Sequence, residues 1–252
     1  GDHRDLHKEY RRQRQMCIRD SAQHPEVAAR CAAEAEAVIG PDPLSDLPTA
    51  ESYAQLKYCE AVVYEAMRLA PPAYMVGRCC AEDVHVAGYD LPKGTTVLVA
   101  PYLLHRDARF WEKPLEFDPD RWRAKEEGAE RENPLKGMGL NGAYVPFGAG
   151  PRKCVGAQFA LLEACVSAAM LLRRFEFDLE MPYGPGYPEK LDPNNPDKSI
   201  GTVGMVSAAT IHTATGLFCR VKERRPGETD LPPMQDPNLR APAPDEPEPA
   251  LV

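Results

Sequence analysis

Apolar residues recur at helical spacing in three stretches of the chain, and each stretch predicts a helix. The first begins at His24-Pro25, where proline suits the first turn, and ends at Gly40. The second runs from about Ala50 to Ala70 and stops at a pair of prolines. The third follows Cys154 and is apolar around most of its circumference, which predicts a core helix. The three stripes are Val27, Ala28, Cys31, Ala35 and Val38; Leu56, Cys59, Val63 and Met67; and Phe159, Leu162, Val166 and Ala169.

Alternating apolar and polar residues predict short strands in two other parts of the chain. Residues 83–100 alternate around Gly88 and the turn at Pro92-Lys93-Gly94, a composition typical of β-hairpins. A second alternation, interrupted by glycines, runs from Ile200 to Val221 and predicts a terminal β-hairpin. Together with the helical stretches, these patterns predict a mainly α-helical fold with small β-hairpins.

The two ends of the chain differ from this folded region. Residues 223–252 are rich in proline and acidic residues and almost free of aromatics, so we expect a disordered tail. The stretch Arg12 to Ser21 resembles translated sequencing-adapter sequence, and we therefore expect residues 1–20 to be a non-native leader without a function. The folded region is expected to span residues 21–222.

Composition excludes some classes of partner and site. The 252 residues carry a formal net charge of -8 without a Lys/Arg-rich run, which argues against a nucleic-acid partner. The eight cysteines lack zinc-finger spacing, and a chain of this size needs no disulfide framework, which favours a reducing, intracellular compartment. The longest apolar stretch, Ala157 to Leu172, is interrupted by Gln158 and Glu163, so no membrane span is predicted.

The chemistry of the chain concentrates at one cysteine. Residues 147–156 read Phe-Gly-Ala-Gly-Pro-Arg-Lys-Cys-Val-Gly, and the third predicted helix follows directly. Glycines allow the backbone to approach a flat ligand closely. The following helix directs its N-terminal amides and positive dipole end toward the sulfur of Cys154. Both features favour a thiolate bound to a large anionic cofactor, whereas a buried structural cysteine is the alternative for an isolated loop of this kind.

The pattern Phe-x-x-Gly-x-Arg-x-Cys-x-Gly resembles the haem-ligand signature of the cytochrome P450 family, with every defining position filled. The resemblance implies the C-terminal, haem-ligand half of that fold, with heme b as cofactor and Cys154 as the axial ligand of its iron. It also implies a set of cofactor-binding residues in and beyond this loop, with Arg78 and Arg152 paired to the haem propionates. The set is Phe147, Gly148, Arg152, Cys154, Gly156, Arg78 and His105. For His105, an ordinary packed or capping histidine is the alternative.

A second family motif lies at the end of the second predicted helix. Glu65 and Arg68 stand three positions apart, a spacing that by itself predicts only a solvated surface pair. The segment Phe117-Asp118-Pro119-Asp120-Arg121 matches the family's Phe-x-Pro-x-Arg segment. The resemblance therefore implies that Glu65, Arg68 and Arg121 form a structural trio that supports the cysteine loop without redox chemistry of its own.

The resemblance also suggests a substrate class and partners. The segments Pro72 to Gly77 and Met205 to Thr213 correspond to substrate-facing loops of the family and are mainly small or apolar, which favours an apolar substrate. The spans Phe147 to Phe175 and Ala209 to Thr213 are similar to the carotenoid-ring hydroxylase branch of plastids. That branch implies a plastid location. The family resemblance implies a ferredoxin or an NADPH-dependent reductase as electron donor, and membrane association through an N-terminal half.

The family's oxygen-activating pattern, Ala/Gly-Gly-x-Asp/Glu-Thr, does not occur in this sequence, so no catalytic residue is assigned. Three functions remain open at this point. The first is an incomplete haem-thiolate monooxygenase, and the second is a family member that isomerises or dehydrates a peroxide without external electrons. The third is a truncated haem-binding module without turnover.

Overall fold

The computed structural model describes residues 23–123, 134, 142–179, 205–207, 211–213 and 219–224. The helices within them are α1 (Pro25–Ile39), α2 (Ala50–Gln55), α3 (Lys57–Leu69), α4 (Pro101–Leu104) and α5 (Ala157–Arg174), with short 3-10 helices at Pro119–Trp122 and Gly150–Arg152. The strands are β1 (Val76–Cys79), β2 (Val84–Val86), β3 (Tyr89–Leu91), β4 (Thr96–Val99), β5 (Phe175–Leu179), β6 (Met205–Ser207), β7 (Ile211–Thr213) and β8 (Cys219–Glu223). None of the helices in these ranges is long and apolar enough to cross a membrane.

The main hydrophobic core forms where α1, α3 and α5 pack together. The helix predicted after His24 is confirmed as α1, and the apolar stripe of this helix is buried or packed against the core. Helix α3 is the most deeply buried element of the three, since eleven of its thirteen residues are buried. Burial on nearly all sides explains why α3 carries polar groups that need partners inside the protein.

The prediction of one continuous helix from about Ala50 to Ala70 is wrong, because the chain breaks at Leu56. Leu56 leaves the helical conformation, with φ -74° and ψ 62°, and α3 begins at the next residue. The carboxylate of Glu34, on α1, accepts the N–H groups of Tyr58 at 2.7 Å and Cys59 at 2.8 Å. These are two of the orphan amides of the first turn of α3, so a distant residue provides the N-terminal cap.

The strands predicted in residues 83–100 are confirmed, and each one pairs antiparallel. Strand β2 pairs with β3 in a hairpin, whereas β4 pairs with β1, which the sequence pattern did not indicate. The register of the second pair places Val76 opposite Val99 and Arg78 opposite Val97. Since partners in an antiparallel pair share a face, Arg78 lies on the same face of this sheet as three valines.

The terminal hairpin is confirmed only in part. Strands β6 and β7 form a hairpin, but β8 pairs with β5, directly after α5. Glu223, which we expected in the tail, belongs to β8, and the N–H of Arg224 donates to the carbonyl of Arg174 at 2.8 Å. The expected leader and the remainder of the expected tail lie outside the described residues.

Helix α5 divides into a buried face and an exposed face, although the sequence predicted burial around most of its circumference. Ala160, Leu161 and Cys165 are buried against the core. Phe159 and Leu162 are 60% and 41% exposed. The prediction therefore holds for one face only, and the exposed aromatic side chain lies on the first turn after the cysteine loop.

The cap on α3 leads to a stability prediction. Glu34→Gln leaves one of the two capped amides facing an NH₂ group inside the protein, and an unsatisfied buried donor costs roughly 1–3 kcal/mol. We therefore expect the free energy of unfolding to fall by about that amount. Urea unfolding followed by far-UV circular dichroism measures it, with Glu82→Gln, at an exposed carboxylate, as the control. Equal midpoints for the two variants would contradict the capping role.

Candidate functional site

Backbone hydrogen bonds close the cysteine loop on itself. The N–H of Gly148 donates to the carbonyl of Val145 at 3.0 Å, and the N–H of Lys153 donates to that of Gly150 at 3.0 Å. The N–H of Cys154 donates to the carbonyl of Phe147 at 2.9 Å, which joins the two ends of the loop. This backbone hydrogen bond brings together Phe147 and Cys154, two residues of the predicted cofactor-binding set.

Two glycines give this loop an open side. Gly148 and Gly150 both have φ +71°, a conformation that other residues rarely adopt. A Cβ atom added at either glycine would meet no atom within 4 Å. Glycine is therefore needed at these positions for the backbone conformation rather than to relieve crowding, and none of the described residues fills the space next to either glycine. Gly156 caps the N-terminus of α5.

Cys154 lies on this open side as an exposed, free cysteine three residues before α5 begins. Its neighbour Val155 is fully exposed, and Phe159 and Leu162 expose apolar side chains on the first turns of the helix. Exposed apolar side chains that lie near one another can mark a surface that binds a ligand or another part of a protein. This surface suits a large apolar group that is bound through sulfur.

The β1–β4 sheet presents a second apolar surface that carries a cation. Arg78 is exposed and shares its face with Val76, Val97 and Val99, of which Val99 is 46% exposed. The guanidinium of Arg78 donates to the carbonyl of Gly77 at 2.8 Å. An apolar strip with an arginine at one end matches a ligand that is apolar over most of its area and anionic at one edge.

Arg152 is also exposed, in the 3-10 helix at Gly150–Arg152. Within the described ranges, neither Arg152 nor Arg78 forms an ion pair with a carboxylate. In the same ranges no hydrogen bond joins Arg78 to the cysteine loop. Two exposed guanidiniums without a protein counter-ion can each accept a carboxylate of a ligand in bidentate geometry.

The Glu65, Arg68 and Arg121 side chains meet in one buried network. The carboxylate of Glu65 is inaccessible to solvent and accepts Nε and Nη2 of Arg68, both at 2.9 Å. It also accepts Nε of Arg121 at 3.0 Å and the N–H of Asp118 at 2.9 Å. The indole N–H of Trp122 donates to the same carboxylate at 2.8 Å. A charge in this position is stable only because every face of the carboxylate has a donor.

The two arginines carry this network into the loop that follows α4. Arg68 is completely buried and donates to the carbonyls of His105, Pro114 and Glu116. Arg121 donates to the carbonyl of Glu112 at 3.1 Å. The two arginines therefore provide donors for backbone carbonyls between His105 and Glu116. This segment is irregular, so these carbonyls are not paired within a helix or a sheet. The network acts as the internal support of this loop.

His105 lies between the network and the cysteine loop and has no exposed surface. Its carbonyl accepts Nη1 of Arg68 at 2.8 Å, and its Nε2 accepts the N–H of Val145 at 2.9 Å. Burial and the charge of Arg68 lower the pKa of His105 to about 3, so the ring is neutral. The backbone groups of Arg68 and Met67 raise this pKa, but burial and the charge of Arg68 lower it by more. Within the described residues, Nδ1 of His105 has no hydrogen-bond partner.

Sequence reasoning missed two aromatic residues of this site. Trp122 is a direct partner of Glu65, and Tyr144 packs against Trp122 with ring centroids 4.6 Å apart. The hydroxyl of Tyr144 donates to the carbonyl of Tyr64, on α3, at 2.9 Å. The position of Trp122 directly after Arg121 could have indicated its role, because a buried indole N–H needs an acceptor. No sequence feature pointed to Tyr144.

A free cysteine on an open glycine-rich loop, together with a buried carboxylate–arginine network, is the arrangement expected of a class of proteins that bind a ligand through a thiolate. Comparison with known proteins agrees with this class, since residues 16–190 match the family model described as Cytochrome P450. The match covers more than half of the chain. The chain therefore belongs to the cytochrome P450 family.

Three curated relatives illustrate the similarity. "Cytochrome P450 97B2, chloroplastic" from Glycine max is 35% identical over 224 residues, which cover 81% of this chain and 35% of the relative. "Cytochrome P450 4V2" from Homo sapiens is 33% identical, covering 81% of this chain and 34% of the relative. "Cytochrome P450 4d2" from Drosophila melanogaster is 38% identical, covering 68% and 31%. The chain thus spans about a third of the length of these relatives.

The buried network yields a second stability prediction. Glu65→Gln removes the only negative charge that pairs with Arg68 and Arg121 in the described network, and breaking a buried ion pair from one side costs roughly 3–5 kcal/mol. We expect a loss of that size in urea unfolding. Glu223→Gln, which removes a largely exposed pair with Arg174, should cost less than about 1 kcal/mol. Similar losses in the two variants would contradict the role assigned to Glu65.

The buried histidine yields a pH prediction. Below about pH 6.5 the unfolded chain binds a proton at His105 that the folded protein does not bind until about pH 3. The free energy of unfolding should therefore decrease as pH falls through this window, by up to about 1.4 kcal/mol per unit from this residue. His105→Gln cannot take up this proton. The stability advantage of the wild-type chain over this variant should shrink from neutral pH to about pH 4, and parallel pH profiles would contradict it.

Proposed function

We propose that the chain is the haem-ligand portion of a longer haem-thiolate monooxygenase and that it corresponds to the C-terminal half of that fold. One observation carries the proposal: Cys154 is exposed on an open glycine loop, next to uncovered apolar side chains on α5. The family membership and the coverage of about a third of each relative support it.

The residues present fit a haem group. The Cys154 thiolate would bind the haem iron, with Phe147, Gly148 and Gly156 forming the loop around the sulfur. The open space above Gly148 and Gly150 is suited to close approach of a flat macrocycle. Phe159, which the sequence pattern assigned to the core, is exposed on α5. Its apolar side chain would contact the haem macrocycle. The thiolate-bound iron would supply activation of dioxygen.

Arg78 and Arg152 would bind the propionate groups of the haem. Both guanidiniums are exposed and lack a carboxylate partner in the described ranges, and the face of Arg78 is otherwise apolar. His105 differs from the other proposed cofactor residues, because its ring is fully buried and its Nε2 accepts a backbone N–H. Its part in haem binding would accordingly be indirect.

Glu65, Arg68 and Arg121 would support the haem site without contacting the cofactor. Glu65 and Arg68 are completely buried, and within the described residues all five N–H groups of Arg68 have protein acceptors, so this pair offers no group to a ligand. The network would hold the loop after α4 and, through that loop, the chain segment that carries Cys154. Residues that activate oxygen would be supplied by a part of the enzyme outside this sequence.

For the reaction, we propose hydroxylation of an apolar substrate, with a carotenoid ring as the specific candidate. One oxygen atom would enter the substrate and the other would leave as water, with electrons from a ferredoxin or an NADPH-dependent reductase. The mainly apolar segment Pro72 to Gly77 would face the substrate. The relative from Glycine max is named chloroplastic, which supports a plastid location for this protein as part of the proposal.

The ligand assignment can be tested directly on the purified chain loaded with haem. Reduced and exposed to CO, it should show the red-shifted Soret band of a thiolate-ligated haem, because sulfur donates strongly to the iron. Cys154→Ala should lose this band, while Cys79→Ser, at another exposed cysteine, should keep it. A wild-type chain without the band, or a Cys154→Ala variant that retains it, would overturn the proposal.

A further inference from the structure

His105 connects the buried network to the beginning of the cysteine loop through two separate groups. Its backbone carbonyl receives Nη1 of Arg68, and its ring Nε2 receives the N–H of Val145. Val145 is also the residue whose carbonyl accepts the N–H of Gly148, the first glycine of the open loop. A single side chain therefore reaches from the irregular segment after α4 to the residue at which the loop turns.

The hydrogen bond at Nε2 requires one protonation state of the ring. An imidazole nitrogen that accepts an N–H must carry a lone pair, so the proton of the neutral ring lies on Nδ1. The positive charges of Arg68 and Arg106, together with burial, oppose a second proton on the ring. The aromatic ring of Tyr144, with its centroid 5.0 Å away, limits movement of the imidazole from one side. His105 is thus held as a permanent acceptor.

We propose that His105 is a positioning residue for the thiolate ligand: its Nε2 fixes the Val145 amide and thereby sets the conformation of the loop that presents Cys154. The inference rests on the proposed function as far as the ligand is concerned, but the positioning itself is a property of the protein chain. It gives the loop a rigid attachment behind its open face. His105 acts through the backbone and does not touch the cofactor.

Three variants distinguish the effect of the hydrogen-bond acceptor at Nε2 of His105 from the effect of packing by its imidazole ring. His105→Leu removes the acceptor and keeps an apolar side chain, whereas His105→Gln returns an acceptor oxygen near the Nε2 position. His105→Asn serves if the Leu variant does not fold, since its shorter side chain does not reach that position. His85→Leu is the matched control, because it makes the same substitution at an exposed histidine on β2, outside the loop and the network.

Amide hydrogen exchange on the 252-residue chain is the first measurement and needs no cofactor. In His105→Leu, exchange of the Val145, Gly148 and Cys154 amides should rise about threefold to tenfold, the range expected for loss of one hydrogen bond. Helix α3 should stay protected as in the wild type. His105→Gln and His85→Leu should remain near the wild-type rates in the loop. Unchanged rates in the Leu variant, or equal rises in Leu and Gln, would overturn the proposal.

The haem-loaded chain gives the second measurement. The fraction of the reduced CO complex with thiolate ligation should fall in His105→Leu and recover in His105→Gln. Failure of the proposed function would be recognised separately, because Cys154→Ala would then leave the CO spectrum unchanged while the exchange pattern held. A lower thiolate fraction in the Leu variant without faster loop exchange would count against positioning through Val145.

Discussion

The structure depends on one carboxylate that has no contact with solvent. Glu65 accepts hydrogen bonds from Arg68, Arg121, Trp122 and the amide of Asp118, and a buried charge with fewer partners would destabilise the fold. Because these donors come from α3 and from the segment around Pro119–Trp122, the carboxylate fixes the position of one relative to the other. The arginines then extend the same constraint to the backbone between α4 and that segment.

The cysteine loop is held by hydrogen bonds on the side that faces the protein core, and it is open on the side of Gly148 and Gly150. Behind it, His105 and Tyr144 connect the loop region to the network and to α3 through hydrogen bonds to the backbone. In front, a Cβ atom added at either left-handed glycine would meet none of the described residues within 4 Å, and the thiol of Cys154 is exposed. A ligand site gains precision when the residues that touch the ligand are themselves held by packing and hydrogen bonds. This loop has such support from hydrogen bonds and also exposes the thiol that would contact a ligand.

The sequence allowed good prediction of most helices and strands, but poor prediction of where they end and how they pair. Helices α1 and α5 follow from apolar periodicity and proline placement, and strands β2 to β4 follow from alternation. The break between α2 and α3 could not be predicted, because Glu34 caps α3 from 24 positions away. The pairing of β8 with β5 likewise depends on contacts between positions that lie 40 to 48 residues apart, from Leu179–Cys219 to Phe175–Glu223.

What the sequence determined by itself was local: helical spacing, the glycines that permit a left-handed loop, and a motif that places a cysteine before a helix. Only the tertiary structure decided which polar residues are buried together, since burial and hydrogen-bond partners depend on contacts between distant segments. From their spacing alone, Glu65 and Arg68 are predicted to form a solvated pair on the surface. Packing removes water from them and adds Trp122 and Asp118, and in that environment the pair becomes the support of the loop region.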